Sequence, residues 1–167
     1  MLIPTLIVFL LCYIILIWLA WTDHKLYILP NKLNLALLIC FGLFHYILDW
    51  SLISPESAVA GLAVGGGFLL IIRYVANSLL KTDTIGLGDV KLMFAAGFGV
   101  GMPDVLLVLS IGSLLGILHG YILQQVETKK TGKHTPLMNV NVPAGVGLSI
   151  ATMGVISLQF WNWWEIF

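Results

Sequence analysis

From Leu2 to Trp21 the chain runs for twenty residues without a charged side chain. As a helix that stretch is about 30 Å long, the thickness of a bilayer's hydrocarbon core. Five more apolar runs follow, at Leu33–Leu48, Ser57–Leu80, Val90–Gly101, Val105–Leu123 and Val142–Trp161. Backbone polar groups in hydrocarbon must be satisfied within the chain, so runs of this kind are helices. The expected fold is all-α: a polytopic membrane protein of about six transmembrane helices. Charged residues make up 10% of the chain, against roughly a quarter in a soluble domain. Residues 1–167 therefore read as a single membrane domain, with no room for a soluble one. The fourth run is short, since twelve residues rise only about 18 Å. It must start below the membrane surface, borrow from the flanking loops, or form a half-span.

The N-terminus lacks a basic region and a small-residue cleavage site, so the first run reads as a retained helix. Cys12 and Cys40 lie inside apolar runs without C-x-x-C spacing and read as small buried hydrophobes. His24, His45, His119 and His134 show no metal-ligand spacing, and no metal is expected. His45 and Asp49 stand four apart near the end of the second run and are expected to pair. His119, between Gly116 and Gly120, is expected to pack between helices.

The basic residues decide orientation. Lys25 and Lys32 fall in the first loop, Lys81 in the third with Lys91 just after it, and Lys129, Lys130 and Lys133 in the fifth. Arg73 lies toward the third loop. The second and fourth loops and both termini carry Asp49, Glu56, Asp104 and Glu165 instead. By the positive-inside rule, loops one, three and five are cytoplasmic and the N and C termini lie outside. The polar motifs then gather on the cytoplasmic side. Asp23 opens the first loop, Asp89 closes the third, and Pro143 with Gly145 opens the sixth helix. Each carries helix breakers, and irregular backbone at membrane depth is tolerated only within protein or along a wet cavity. A shared cytoplasmic cleft follows.

Two carboxyls in one cleft cannot both ionise at close range, so one is held protonated and the other charged. Such a pair can activate a water and protonate a carbonyl, hydrolysing an amide without a metal, cofactor or covalent intermediate. Asp23 stands at the C-terminal end of its helix and Asp89 at the N-terminal end of its own. The macrodipoles favour charge on Asp89 and disfavour it on Asp23. This assigns Asp89 as the carboxylate and Asp23 as the protonated partner.

These residues resemble a family. Asp23-His-Lys-Leu-Tyr-Ile-Leu-Pro30-Asn31 resembles the D-x6-P-N motif of type IV prepilin peptidases. Gly86-Leu-Gly88-Asp89-Val-Lys91-Leu resembles their G-x-G-D-x-K-L motif, and Val142-Pro143-Ala144-Gly145 the P-x-G segment that opens their last helix. The likeness runs from about residue 20 to residue 150. It implies a GxGD-type aspartic endopeptidase with Asp23 and Asp89 as its catalytic dyad. Gly86, Gly88, Lys91, Pro30, Asn31, Pro143 and Gly145 would bind substrate or shape the site. The implied reaction removes a short basic leader from prepilin or pseudopilin precursors at the cytoplasmic face of a bacterial inner membrane. The bilayer is the other partner, and no nucleic acid is expected. The chain departs from the pattern at Val146, where the family often has proline. It also lacks the N-terminal insertion of larger members that accompanies N-methylation, and in this it is similar to the peptidase-only forms of tight-adherence (Flp) pilus systems.

Three further expectations follow. Gly86 and Gly88 leave space for an extended substrate to approach loop three as an added strand. Asp83 and Glu127 are placed to attract a basic leader. The small-xxx-small pairs Gly61–Gly65, Gly97–Gly101, Gly112–Gly116 and Gly116–Gly120 draw helices three, four and five together. The rival reading is a small proton-coupled membrane transporter or channel component. It expects acids near the span centres and an internal repeat, neither of which is visible. An assembly subunit without activity is the third, and would tolerate loss of either Asp.

Overall fold

The computed structural model describes residues 2–81, 86–131 and 142–165, with backbone alone for residues 2, 130 and 131. Asp83, Lys133 and His134 lie outside the described residues. Six helices form where the apolar runs stand: α1 (Leu2–Leu26), α2 (Asn31–Ile47), α3 (Pro55–Leu80), α4 (Leu87–Val100), α5 (Asp104–Thr131) and α6 (Ala144–Trp164). Four of them, α1, α3, α5 and α6, are long and apolar enough to cross a membrane, and α2 is a shorter apolar helix. The protein is a polytopic membrane protein.

Helices extend beyond the apolar runs wherever polar residues still suit a helix end. α1 continues through Thr22, Asp23, His24 and Lys25, with His24 and Lys25 in its last turn, where cationic side chains suit the C-terminal dipole. Asp23 is therefore in the last turns of α1 rather than in the loop. α3 begins at Pro55 after an N-cap at Ser54, whose side chain accepts from the Ser57 amide.

α1, α2, α4 and α6 enclose the core, in which Leu16, Leu19, Leu37, Phe44 and Leu92 are fully buried. Tyr13 of α1 donates to the Met153 carbonyl of α6 at 2.7 Å and also bonds Ser157. Phe9 stacks on Phe160 with ring centroids 4.9 Å apart. Cys12 and Cys40 are free, buried and turned toward one another between α1 and α2.

α4 has only 14 residues, about 21 Å, and its C-terminal end falls inside the protein. Three side chains from three helices satisfy the carbonyls left open there. His45 Nε2 of α2 lies 2.8 Å from the Gly99 carbonyl. Gln159 Nε2 of α6 donates to the Val100 carbonyl at 2.7 Å. Ser57 Oγ of α3 donates to the Met102 carbonyl at 2.7 Å and accepts from the Met102 amide at 3.0 Å. A helix too short to reach the surface thus ends in protein, as buried backbone requires. His45, fully buried, serves that end and does not pair with Asp49.

Glycines set the helix separations. A Cβ on Gly61 would stand 2.2 Å from the Gly97 carbonyl oxygen, and one on Gly97 2.1 Å from that of Gly61. α3 and α4 touch backbone to backbone there. The glycines of α5 meet α6 instead, with Gly112 against Leu148 and Gly147 against the Gly112 carbonyl. Gly116 faces open space.

Candidate active site

The helix ends that carry the motifs converge. Asp23, in the penultimate turn of α1, is 5% exposed. A Cβ on Gly145 would lie 2.8 Å from its Oδ2, and the amides of Gly145 and Val146 in the first turn of α6 face its carboxyl. Oδ2 itself has no partner within hydrogen-bond geometry. Asp89, in the first turn of α4, lies close enough to feel the charge of Asp23. Its Oδ1 is buried and unpartnered, and a Cβ on Gly86 would come within 3.0 Å of its Oδ2. The structure brings both aspartates and the glycines Gly86 and Gly145 into one cluster.

The electrostatics differ from the sequence expectation in one respect. Asp23 does stand at the C-terminal end of α1, but the positive end of α6 also points at it. Two helix ends of opposite sign act on the same carboxyl. The assignment of roles from the dipoles of α1 and α4 alone therefore loses its basis.

The link between α1 and α2 explains the spacing of Asp23 and Pro30. The Tyr27 amide donates to the Asp23 carbonyl at 2.9 Å, and Tyr27 takes a left-handed backbone, φ 54°. That turn reverses the chain as an αL cap does. Leu29 precedes a proline, which disfavours a helical backbone there, and Pro30 is the extended N-cap of α2. Leu29 is thereby returned onto the site, 7% exposed. A Cβ on Gly88 would be 2.8 Å from Leu29 Cβ, and one on Gly145 2.8 Å from Leu29 Cδ1. The space beside Gly88, expected to receive a substrate backbone, is filled by this leucine.

Lys91 Nζ donates to Asn31 Oδ1 at 2.8 Å, joining the second motif to the first. His24 and His119 stack with centroids 5.3 Å apart, which places His119 beside the site and against α1. No signal in the sequence singles out Leu29, an apolar residue in an apolar pentad. Among the described residues no group of three or more His, Cys, Asp or Glu side chains is placed to hold a metal ion.

On its other side Asp89 lines a cavity of about 310 Å³ between α3, α5 and α6. Leu69, Leu109, Gly112, Ser113, Gly116, Ile117, Gly120, Val142, Ala144 and Leu148 form its walls. It is an apolar groove that ends at a carboxyl. Two acids able to transfer protons, beside an apolar channel that limits the water reaching them, suit acid–base hydrolysis.

The chain is 31% identical over 107 residues to the "Prepilin leader peptidase/N-methyltransferase" of Escherichia coli strain K12, covering 64% of this chain and 47% of that protein. It is 28% identical over 152 residues to the protein of the same name from Neisseria gonorrhoeae, covering 89% and 49%. It is 32% identical over 139 residues to that of Xanthomonas campestris, covering 83% and 44%. The chain thus spans about half the length of the curated relatives it matches. No solved structure was found to match it. The model of the type IV leader peptidase family matches residues 10–121, the stretch that holds Asp23, Pro30, Asn31, Gly86, Gly88, Asp89 and Lys91, and the chain belongs to that family.

Proposed function

We propose that the protein is an aspartic endopeptidase that removes the leader from type IV prepilin-like precursors, with Asp23 and Asp89 as its two acids. The carrying observation is the meeting of two carboxyls at the ends of α1 and α4, one of them lining an apolar groove. One aspartate takes a proton from water while the other protonates the scissile carbonyl oxygen. The resulting tetrahedral adduct then loses its amine, which receives a proton from the dyad. Gly86, Gly145 and the first-turn amides of α6 shape the site around the acids. The groove takes the apolar segment that follows the cleaved bond, and the leader stays at the membrane surface. The distribution of lysines supports a cytoplasmic position for this end of the bundle, at the inner membrane. The acids of the described helices stand near helix ends, away from the span centres where a proton-coupled transporter would use them.

The test is co-expression with candidate prepilins, reading the mature N-terminus by mass spectrometry. Asp23→Asn and Asp89→Asn should each abolish cleavage while the protein still inserts, since each removes half of a unit that acts as a pair. Normal processing by either variant would end the reading.

A further inference from the structure

One side chain packs against two motif glycines of the proposed site, Gly88 and Gly145, and is none of the residues that would do its chemistry. Leu29 is the shared packing partner of Gly88, one residue before Asp89, and of Gly145, whose Cα faces Asp23. It is not a loose loop residue. The left-handed turn at Tyr27 fixes it from one side. From the other, Pro30 and the Asn31–Lys91 hydrogen bond tie it to α4. Its neighbours Tyr27 and Ile28 are 52% and 60% exposed, whereas Leu29 is 7% exposed. The apolar groove opens on Asp89 from the opposite side, between α3, α5 and α6.

We propose that Leu29 is a positioning residue of the site: an apolar wall that spaces the ends of α4 and α6 and seals the dyad from the side of the α1–α2 link. Among the described residues the groove then remains as an approach to Asp89. Gly88 and Gly145 are glycines because Leu29 occupies the volume their side chains would need. Removing the leucine side chain leaves the polar atoms of the dyad next to an opening, and polar cavities fill with water. The wall inference rests on the proposed role of the dyad, but its sealing function is measurable without any substrate.

The experiment compares wild type, Leu29→Ala and Leu29→Met as the purified full chain in detergent. Each is treated with a water-soluble carbodiimide and an amine, and labelling of Asp23 and Asp89 is followed by peptide mass spectrometry. The same preparations are assayed for cleavage of a prepilin. Leu29→Ala should label at least about five-fold faster. Its kcat should fall about ten-fold or more with KM within two-fold, because positioning is lost and not binding. Leu29→Met, similar in volume, should restore both toward wild type. Unchanged labelling in Leu29→Ala overturns the inference, whatever the activity. So does wild-type kcat in that variant, or a Leu29→Met protein as impaired as Leu29→Ala. Absence of cleavage by the wild type with every precursor would refute the peptidase reading alone, leaving labelling to decide the wall.

Discussion

Lys91 Nζ donates a hydrogen bond to Asn31 Oδ1 across 2.8 Å, sixty residues away in sequence. This contact fixes the N-terminal turn of α2 to that of α4, and so sets the two aspartate-bearing segments relative to each other. Lys91 is thereby held by the Asn31 amide.

The bond is solvent-exposed, so its net worth is about 1 kcal/mol, or roughly five-fold in rate. Asn31→Ala and Lys91→Met should each slow cleavage by about that factor. The double variant should be no slower than either single one, because both remove the same contact. Additive losses in kcat/KM would show that the two residues act separately.

Glycine substitutions should grade by what a methyl would meet. At Gly145 it meets both Asp23 Oδ2 and Leu29 Cδ1 at 2.8 Å. Gly145→Ala therefore displaces a reacting group as well as overpacking the core, with an expected loss of about 30-fold or more in cleavage. At Gly86 the nearest atom is Asp89 Oδ2, at 3.0 Å, and the next is at 3.8 Å, so Gly86→Ala should cost less, about three- to ten-fold. Gly67, with nothing within 4 Å, should accept alanine without loss. Cleavage rates that do not follow this order would contradict the packing around the acids.

Most of the architecture was legible because hydrocarbon admits so few backbone solutions. Six apolar runs became six helices, and the polar motifs met at one end of the bundle. Three features were not legible, each for a physical reason. The chain's hydropathy changes at Trp21, but hydrogen bonding continues to Leu26, so Asp23 is helical. The end of α4 is satisfied by His45, Ser57 and Gln159, which are isolated polar residues on three other helices with no local pattern. The filling of the space beside Gly88 by Leu29 depends on a chain reversal at Tyr27, a residue type that seldom adopts positive φ.

His45 should matter for stability and not for chemistry. Its ring is fully buried, and its Nε2 satisfies the Gly99 carbonyl at the far end of α4 from the aspartates. His45→Leu would leave that carbonyl unpaired in an apolar interior, at a cost of about 1–3 kcal/mol. The thermal midpoint in detergent should fall by several degrees. Cleavage per folded molecule should stay within two-fold of wild type. A selective loss of kcat with an unchanged midpoint would instead connect this end of α4 to the reaction.

The groove offers the most direct test of where a substrate's apolar segment lies. Of the α5 glycines along it, Gly112 and Gly120 are packed against Leu148 and Val142, while Gly116 has nothing within 4 Å of where a Cβ would be. A side chain added at Gly116 therefore grows into the cavity without first disturbing a neighbour. A leucine adds a whole isobutyl group to a space of about 310 Å³ and narrows the path to Asp89. Glycine is also the poorer helix former, by about 1 kcal/mol against alanine, so Gly116→Leu should fold at least as well as wild type. KM for a full-length precursor should rise about ten-fold or more. A short soluble peptide spanning the cleavage site, which has no apolar helix to seat, should be cleaved as before. Gly154→Leu is the control, because Gly154 is likewise open but lies on α6 away from the groove lining, and both substrates should be processed normally. Equal slowing of peptide and precursor by Gly116→Leu would place the obstruction at the acids themselves, and no slowing of either would remove the groove from the substrate's path.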